Sequence, residues 1–336
     1  MSQTTPVSKP ARFDILGIGN AIVDVVAPAG DDFLARHGMS KGGMALVSAE
    51  QAEQLYAAMP PGQESSGGSV ANTCAVAAGL GARVAFLGKV ASDQLGAVFR
   101  HDIVSAGVHF PTPPLADGAP TARCLIAVTP DGQRTMNTFL GACVAFGTVD
   151  LDEALIADSA VTYLEGYLFD PADAQAAFHR AAAVAHGAGR LVALSLSDAF
   201  CVGRHRAMFR DLVRNHVDIL FANEAEIGSL YETEDFDDAA QQARAEVALA
   251  ALTRGAAGSV VLQAGERVEV PAEYAAVLDT TGAGDAYAAG FLAAHAAGLR
   301  LGQCGRLGSM AAAAAISQYG ARPYADLRAM MAAASA

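Results

Sequence analysis

Residues 279–285 read Asp-Thr-Thr-Gly-Ala-Gly-Asp, and their types and spacing suit the handling of an anion. The glycines Gly282 and Gly284 let the backbone turn tightly and aim successive N–H groups, with that of Ala283 between them, at one point. The apolar run 286–297 follows and reads as a helix, whose N-terminus adds the positive end of its dipole. Asp285 falls at the N-cap or in the first turn. A carboxylate beside an anion hole is a poor choice for merely holding an anion. It is a good choice for accepting the proton of a hydroxyl that attacks phosphorus. The plain alternative is an Asp N-cap after a glycine turn, worth about 1 kcal/mol.

Other phosphate loops do not account for this segment. Gly88-Lys89-Val90 lacks the Ser/Thr and the upstream glycine of a Walker A loop, and Lys9, Lys41 and Lys89 are the only lysines. Gly17-Ile18-Gly19-Asn20-Ala21-Ile22 puts Ile22 where a dinucleotide fingerprint needs its third glycine. The residues after it are β-type, where that fingerprint needs a helix. The segment reads instead as a strand with a glycine bend that presents Asn20 and Asp24. A carboxylate within an apolar strand needs partners. Either a backbone donor or a ligand hydroxyl would serve Asp24.

Gly67-Gly68-Ser69-Val70-Ala71-Asn72 opens a helix with a second glycine-rich turn, which is either a simple loop and cap or a ligand site. Asn223-Glu224-Ala225-Glu226 begins a helix straight after a strand. Acids in a first turn answer the helix dipole. Alternatively, Asn223 and Glu226 hold a hydrated Mg²⁺, which needs only one or two carboxylates. Thr253, Arg254, Gly255 and Gly258 form a turn able to contact a nucleotide, or an ordinary turn before a strand. His179, His205 and His295 show no ligand spacing and read as solvated or core histidines.

These motifs need a scaffold, and the hydrophobic pattern supplies one. Strands are predicted at 12–19, 84–87, 160–164, 191–196, 219–222 and 259–262. Helices are predicted at 70–80, 93–106, 171–186, 224–231, 239–252 and 307–318. The β–α alternation predicts a mostly parallel sheet covered by helices on both faces. Residues 121–129 and 133–139 break the rhythm as a hairpin about Pro130-Asp131-Gly132, and 44–47 is a further short strand. Together they predict a small antiparallel sheet, either a lid standing off the body or an edge extension of the main sheet. Residues 1–11 and 329–336 are expected to fray.

Composition sets the outer limits. The chain has 336 residues, 52% apolar and 17% charged, which marks a globular protein with one large domain or two modest ones. A net charge of −13 makes nucleic acid and anionic membrane poor partners. Any phosphate must then be held by backbone N–H groups, arginine or a metal. The five cysteines (Cys74, Cys124, Cys143, Cys201, Cys304) include no C-x-x-C pair and read as buried free thiols. The polar first twelve residues and the lack of a membrane-length apolar run lead us to expect a soluble cytoplasmic protein.

Taken together, the chain resembles the PfkB family of carbohydrate and nucleoside kinases over residues 13–324. The most specific element is the run at 279–285. The turn at Gly67-Gly68 to Asn72, residues 88–96, residues 223–226 and Gly320-Ala321 follow in the family's order. Within the family, Gly19-Asn20-Ala21-Ile22-Val23-Asp24, Lys41-Gly42-Gly43-Met44 and Asp131-Gly132-Gln133-Arg134-Thr135 are most similar to adenosine kinases.

The resemblance implies a ribokinase-like, three-layer α/β/α fold over residues 12–328, with a mostly parallel central sheet. It implies a small antiparallel lid from segments about 40–48 and 108–141. It further implies a kinase that uses ATP and Mg²⁺. Asp285 would be the general base, and Gly282, Ala283 and Gly284 the anion hole. Asn20, Asp24, Gly67, Gly68, Asn72 and Arg134 would bind substrate. Asn223, Thr253, Arg254, Gly255 and Gly258 would bind ATP, with Asn223 and Glu226 holding Mg²⁺ through water. Asp279 and Thr281, helped near Ala315 and Gly320, would hold a monovalent cation such as K⁺. Phe169 is the aromatic candidate for stacking on a base.

The expected partner is a small-molecule nucleoside, adenosine foremost, and the protein is expected to be a monomer or homodimer. Within the same chemistry the alternative is a kinase of ribose, fructose or a related sugar acid. A non-catalytic nucleotide-binding regulator is opposed by Asp285, since a binder needs no base. A dinucleotide oxidoreductase is opposed by Ile22.

Overall fold

The structure is a computed structural model and describes residues 10–335. In chain order, β1 (Phe13–Ile18) leads into β2 (Ile22–Pro28), α1 (Asp31–Arg36), β3 (Met44–Leu46), α2 (Ala49–Ala58) and β4 (Gln63–Gly67). Next come α3 (Ser69–Leu80), β5 (Val84–Leu87), α4 (Gln94–Ser105), β6 (Val108–His109), β7 (Ala122–Val128) and β8 (Arg134–Phe139). A strand–helix alternation follows: α5 (Glu153–Ala157), β9 (Ser159–Glu165), α6 (Ala172–Gly187), β10 (Leu191–Ser195), α7 (Ala199–His216), β11 (Ile219–Asn223), α8 (Glu224–Tyr231), α9 (Phe236–Glu246) and β12 (Leu249–Thr253). The hairpin β13 (Ser259–Gln263) and β14 (Glu266–Val270) precedes α10 (Ala283–Ala296), α11 (Leu301–Ile316) and α12 (Leu327–Ser335).

Nine strands form the main sheet in the order β14-β13-β12-β11-β10-β9-β1-β5-β6. All pairings from β12 to β6 are parallel, and only β13 and β14 join antiparallel. Side chains alternate between two cores. Ile219 and Phe221 of β11 face the layer of α3, α4, α10 and α11, while Leu220 and Ala222 face that of α5 to α9. Burial on both faces explains why these strands read as continuous apolar runs. The three layers are the ribokinase-like α/β/α fold expected from the sequence.

The smaller sheet has the order β3-β8-β7-β2-β4. Two of its pairings are antiparallel (β7–β8 and β2–β4) and two are parallel (β2–β7 and β3–β8). It differs from the expected segments in content. β2 and β4 belong to it, whereas Val108-His109 pairs with β5 in the main sheet. A polar strand such as Gln-Glu-Ser-Ser-Gly carries no alternation to reveal it.

Two other expectations are corrected. The run 239–252 is not one helix, since α9 ends at Glu246 and residues 249–253 are the buried strand β12. Its Ala–Leu composition suits either state, and pairing with β11 and β13 decides it. Residues 329–335 do not fray. They belong to α12, anchored by Leu327, so close to α3 that a Cβ at Gly79 would stand 2.5 Å from its Cδ1. Residues 1–9 lie outside the described residues. All five cysteines are buried and free. Among the described residues, no helix is long and apolar enough to cross a membrane.

Candidate active site

The parallel strands point their carboxyl ends at one edge of the main sheet. Asn20 follows β1, Glu165 ends β9, Asn223 ends β11 and Thr253 ends β12. Strand order reverses at β1, with β9 on one side and β5 on the other. Ligand crevices form at such switch points in open α/β sheets.

At this edge, Gly282 takes the left-handed conformation (φ 74°) as the N-cap of α10, and a Cβ there would stand 2.6 Å from the Ala321 backbone. Only glycine satisfies both constraints. Gly284 is exposed, and a Cβ on it would meet nothing within 4 Å, so space is open above the turn. Asp285 lies in the first turn, where Ser69 Oγ of α3 donates to its Oδ1 at 2.6 Å. The first turns of α3 and α10 therefore meet at this carboxylate. Burial pushes its pKa up to about 6, against the hydrogen bonds from Ser69 and Asn72, and the nearby Asp24 charge pushes the same way.

Asp24 sits on β2 in register with Ser65 and Cys124. Burial pushes it up to about 6 as well, while Arg322 and Arg134 hold it down. Its carboxylate accepts no side-chain or backbone hydrogen bond among the described residues. The backbone-donor reading of Asp24 is thus not what the structure displays. Gly67 leaves it room, since a Cβ there would stand 2.5 Å from Asp24 Cγ. Gly68 has φ 99°, and a Cβ on it would overlap the Asn20 carbonyl oxygen.

Asn20, expected to bind substrate directly, is instead buried and bonded to another side chain. Its Nδ2 donates to Glu165 Oε1 at 2.8 Å, and its backbone N–H to Glu165 Oε2 at 3.3 Å. Val70 N–H, in the first turn of α3, also donates to Glu165 Oε2, at 2.9 Å. Glu165 is 1% exposed, and burial pushes it up to about 7 against those three donors. Sequence reasoning missed this residue, because a single Glu at a strand end forms no motif. Its signal is positional: a carboxylate ending an apolar strand needs donors to be buried.

Asn223 and Glu226 bond each other. Asn223 Nδ2 and N–H donate to Glu226 at 2.6 and 3.0 Å, and Glu226 N–H donates to Asn223 Oδ1 at 2.9 Å. This is a capping box on α8. Glu226 is nonetheless buried and pushed up to about 7, by desolvation first and by the charges of Asp198 and Asp285 after it. Hard oxygen donors in a field of like charge fit a divalent cation held through water. Arg254 is less available than expected, for its Nε donates to Glu224 at 2.9 Å and its guanidinium lies 4.2 Å over the Phe236 ring. Gly255 and Gly258, both at positive φ, shape the turn after Thr253.

Three further expectations change. Arg134 reaches Asp279, not an open pocket: Nη1 to Oδ2 is 2.7 Å, with both side chains under one-tenth exposed. Asp279 also accepts from Thr281 N–H, Thr281 Oγ1 and Gly320 N–H at 2.7–3.0 Å. Its carboxylate already has a cation and three donors, which leaves little for a monovalent ion at Asp279 and Thr281. Phe169 is fully buried, 4.6 Å from the Phe209 ring centroid, and cannot stack on a ligand. The half-exposed ring on the site side is Tyr167, whose hydroxyl is held protonated by burial and by Asp198, Glu226, Glu165 and Asp285.

Known proteins show the family and the fold of this chain. The family model described as pfkB family carbohydrate kinase matches residues 45–327. The crystal structure of adenosine kinase from Sinorhizobium meliloti has a TM-score of 0.88 at 51% identity, covering 96% of this chain and 100% of that one. That of a probable sugar kinase from Rhizobium etli CFN 42 has a TM-score of 0.89 at 47% identity, covering 96% and 99%. An ATP-dependent ribose-1-phosphate kinase from Halopiger xanaduensis is 32% identical over 239 residues, 69% of this chain and 73% of its own length.

Proposed function

The chain belongs to the pfkB family of carbohydrate kinases and is an ATP-dependent phosphotransferase, and from that premise we propose that it phosphorylates the 5′-hydroxyl of a nucleoside, adenosine foremost. The observation that carries the reading is the pair Asp24 and Asp285. One is a desolvated carboxylate that accepts no hydrogen bond among the described residues, the other a carboxylate held by Ser69 at the head of α10. Asp24 would accept hydrogen bonds from the ribose hydroxyls, beside Gly67, Gly68 and Asn72. Asn20 acts through Glu165, which it helps hold against the first turn of α3.

Asp285 takes the proton of the 5′-hydroxyl as its oxygen attacks the γ-phosphorus. Its pKa near 6 leaves it ionised at neutral pH yet basic enough to accept. The N–H groups of Gly282 and Gly284 would face the transferred phosphoryl group; the expected third donor, Ala283 N–H, is instead spent on the Thr280 carbonyl at 3.3 Å, which closes the turn. Phosphoryl transfer has a loose transition state, so positioning and charge stabilisation supply most of the catalysis. A preorganised donor in such a hole contributes about 3–4 kcal/mol. Asn223 and Glu226 would hold Mg²⁺ through water, and the ion would neutralise phosphate charge. The smaller sheet, as a lid, excludes water and limits ATP hydrolysis.

The nucleoside reading is supported by the Sinorhizobium meliloti neighbour, named an adenosine kinase, at 51% identity over nearly the whole chain. Tyr167 offers an aromatic face on the site side for a base. An unphosphorylated sugar remains the second reading, favoured by the Rhizobium etli neighbour. A sugar phosphate needs a cation to meet it. The two arginines that act on Asp24 are already engaged, Arg134 by Asp279 and Arg322 by Asp102. ADP release with adenosine against a panel of sugars tests the proposal.

A further inference from the structure

We propose that Arg322 is a positioning residue that orients the side-chain amide of Asn72 toward Asp285. The proposal rests on Asp285 being the base. Arg322 lies in the segment between α11 and α12, and the partners of its guanidinium are 220 to 256 residues away in sequence. Its Nε donates to Asn72 Oδ1 at 2.9 Å. Its Nη1 donates to Asp102 Oδ2 of α4 at 3.0 Å, and its Nη2 to Ser66 Oγ of β4 at 2.8 Å and to the Ser66 carbonyl. Asp102 in turn accepts from Ser66 N–H at 2.9 Å. One guanidinium thus joins the smaller sheet, α4 and the first turn of α3.

The chemistry of the two side chains sets the direction of the effect. A guanidinium has donors and no acceptor, so only the carbonyl oxygen of Asn72 can face it. The NH₂ of that amide must then point the other way, on the side of Asp285, where it helps hold that carboxyl's pKa down. With Arg322 gone, the amide is free to turn over and present its oxygen to the carboxylate. That would withdraw a donor and add a negative dipole beside the base. The charged and titratable groups acting on Asp285 are Asp24 from β2, Glu165 and Tyr163 from β9, Tyr167 just after it, Glu226 from α8, and Arg322. Arg322 is the cation among them.

The test compares pH–kcat profiles of the wild-type enzyme, Arg322→Met, Arg322→Lys and Asn72→Asp, with Asp285→Asn alongside. Arg322→Met should move the acidic limb of kcat up by about one pH unit, which lowers kcat about fivefold at pH 6 and about twofold at pH 7, with the KM for ATP within twofold. Arg322→Lys, which keeps one donor to Asn72, should recover most of the loss. Asn72→Asp keeps a partner for Arg322 but removes the donor to Asp285. It should shift the limb the same way and so carries the test if Arg322→Met does not fold. An unmoved acidic limb in both Arg322→Met and Asn72→Asp overturns the proposal. Asp285→Asn separates the two levels. Retained turnover there removes Asp285 as the base, whereas an inactive Asp285→Asn beside an unshifted Arg322→Met removes only the positioning role.

An independent observation lies in the opposite helical layer. His179 of α6 and Asp211 and His216 of α7 each bring one ligand atom within 4.8 Å of the others. The two imidazole rings meet edge to face at 5.0 Å. Asp211 Oδ1 accepts from Asn215 at 2.8 Å, which leaves its second oxygen for a ligand. From the sequence His179 reads as isolated, because Asp211 and His216 of the second helix are brought to it only by packing. We infer a divalent transition-metal site here, since two imidazoles and a carboxylate suit Zn²⁺ or Co²⁺, with solvent completing the shell. Titration with Co²⁺, followed by its visible absorption, should show one bound equivalent in the wild-type protein. That signal should be lost in His179→Ala and in His216→Ala, with kinase turnover unchanged. No bound equivalent in the wild type, or equal binding in both variants, overturns the inference.

Discussion

Arg134 on β8 and Asp279, which opens the glycine-rich turn before α10, form a buried ion pair of 2.7 Å between the smaller sheet and the body. Asp279 also fixes Thr281 and Gly320, so this carboxylate shapes the turn that would face the phosphoryl group. Unpaired, its charge would oppose a phosphate. Arg134 removes that charge and ties the smaller sheet down in the same contact.

Breaking this pair should be costly. Removing one partner of a buried pair leaves the other uncompensated, at a cost of about 3–5 kcal/mol. We expect Arg134→Ala to lose stability of that order in urea unfolding, with a kcat at least tenfold lower. Arg134→Ala with wild-type stability would mean the pair is solvated and the contact incidental.

Asp285→Asn should retain ATP and acceptor binding, measured calorimetrically, and lose about 10³-fold in kcat. In the wild type, kcat should fall with an acidic limb near pH 6, where Asp285 takes up its proton. Turnover of Asp285→Asn within tenfold of wild type would remove Asp285 as the base.

Gly67→Ala probes Asp24 without touching its charge. The added Cβ would stand 2.5 Å from Asp24 Cγ and push the carboxylate aside. The KM for the acceptor should rise at least tenfold, while the KM for ATP stays within twofold. An unchanged acceptor KM would place the acceptor's hydroxyls elsewhere.

Four carboxylates, Glu165 and Glu226 buried and Asp24 and Asp285 half-buried, make stability depend on pH. Asp24 and Asp285 are pushed up to about 6, and Glu165 and Glu226 up to about 7. Each folded-state pKa lies above the ordinary value, 3.8 for Asp and 4.5 for Glu. Between those limits the folded protein binds more protons than the unfolded chain. Their contribution is therefore most favourable below the unfolded values and is lost as pH rises through 6 and 7. Calorimetry at constant ionic strength should give a higher Tm at pH 6 than at pH 8. A higher Tm at pH 8 would show that these groups are solvated or otherwise compensated.

The sequence was most legible where chemistry is local. The run at 279–285 carries its turn, its helix N-terminus and its carboxylate within seven residues, and Asp24 stands out as a charge in an apolar strand. Glu165 and Arg322 were illegible for the opposite reason. Their partners are 95 to 256 residues away, and neither sits in a patterned segment. Arg134 and Phe169 were visible as residue types, but their surroundings were not. An arginine goes to the nearest buried carboxylate, and a phenylalanine to the larger apolar cluster. The boundary between α9 and β12 was lost because Ala and Leu serve both states, so only pairing with β11 resolves it.

The most direct test is ADP release with Mg·ATP against adenosine, inosine, guanosine, ribose, ribose 1-phosphate and fructose. The account predicts turnover with adenosine, at a kcat/KM at least a hundredfold above any sugar, and its loss in Asp285→Asn. Turnover confined to ribose, fructose or ribose 1-phosphate would contradict it, leaving the fold and the base in place and the acceptor misassigned.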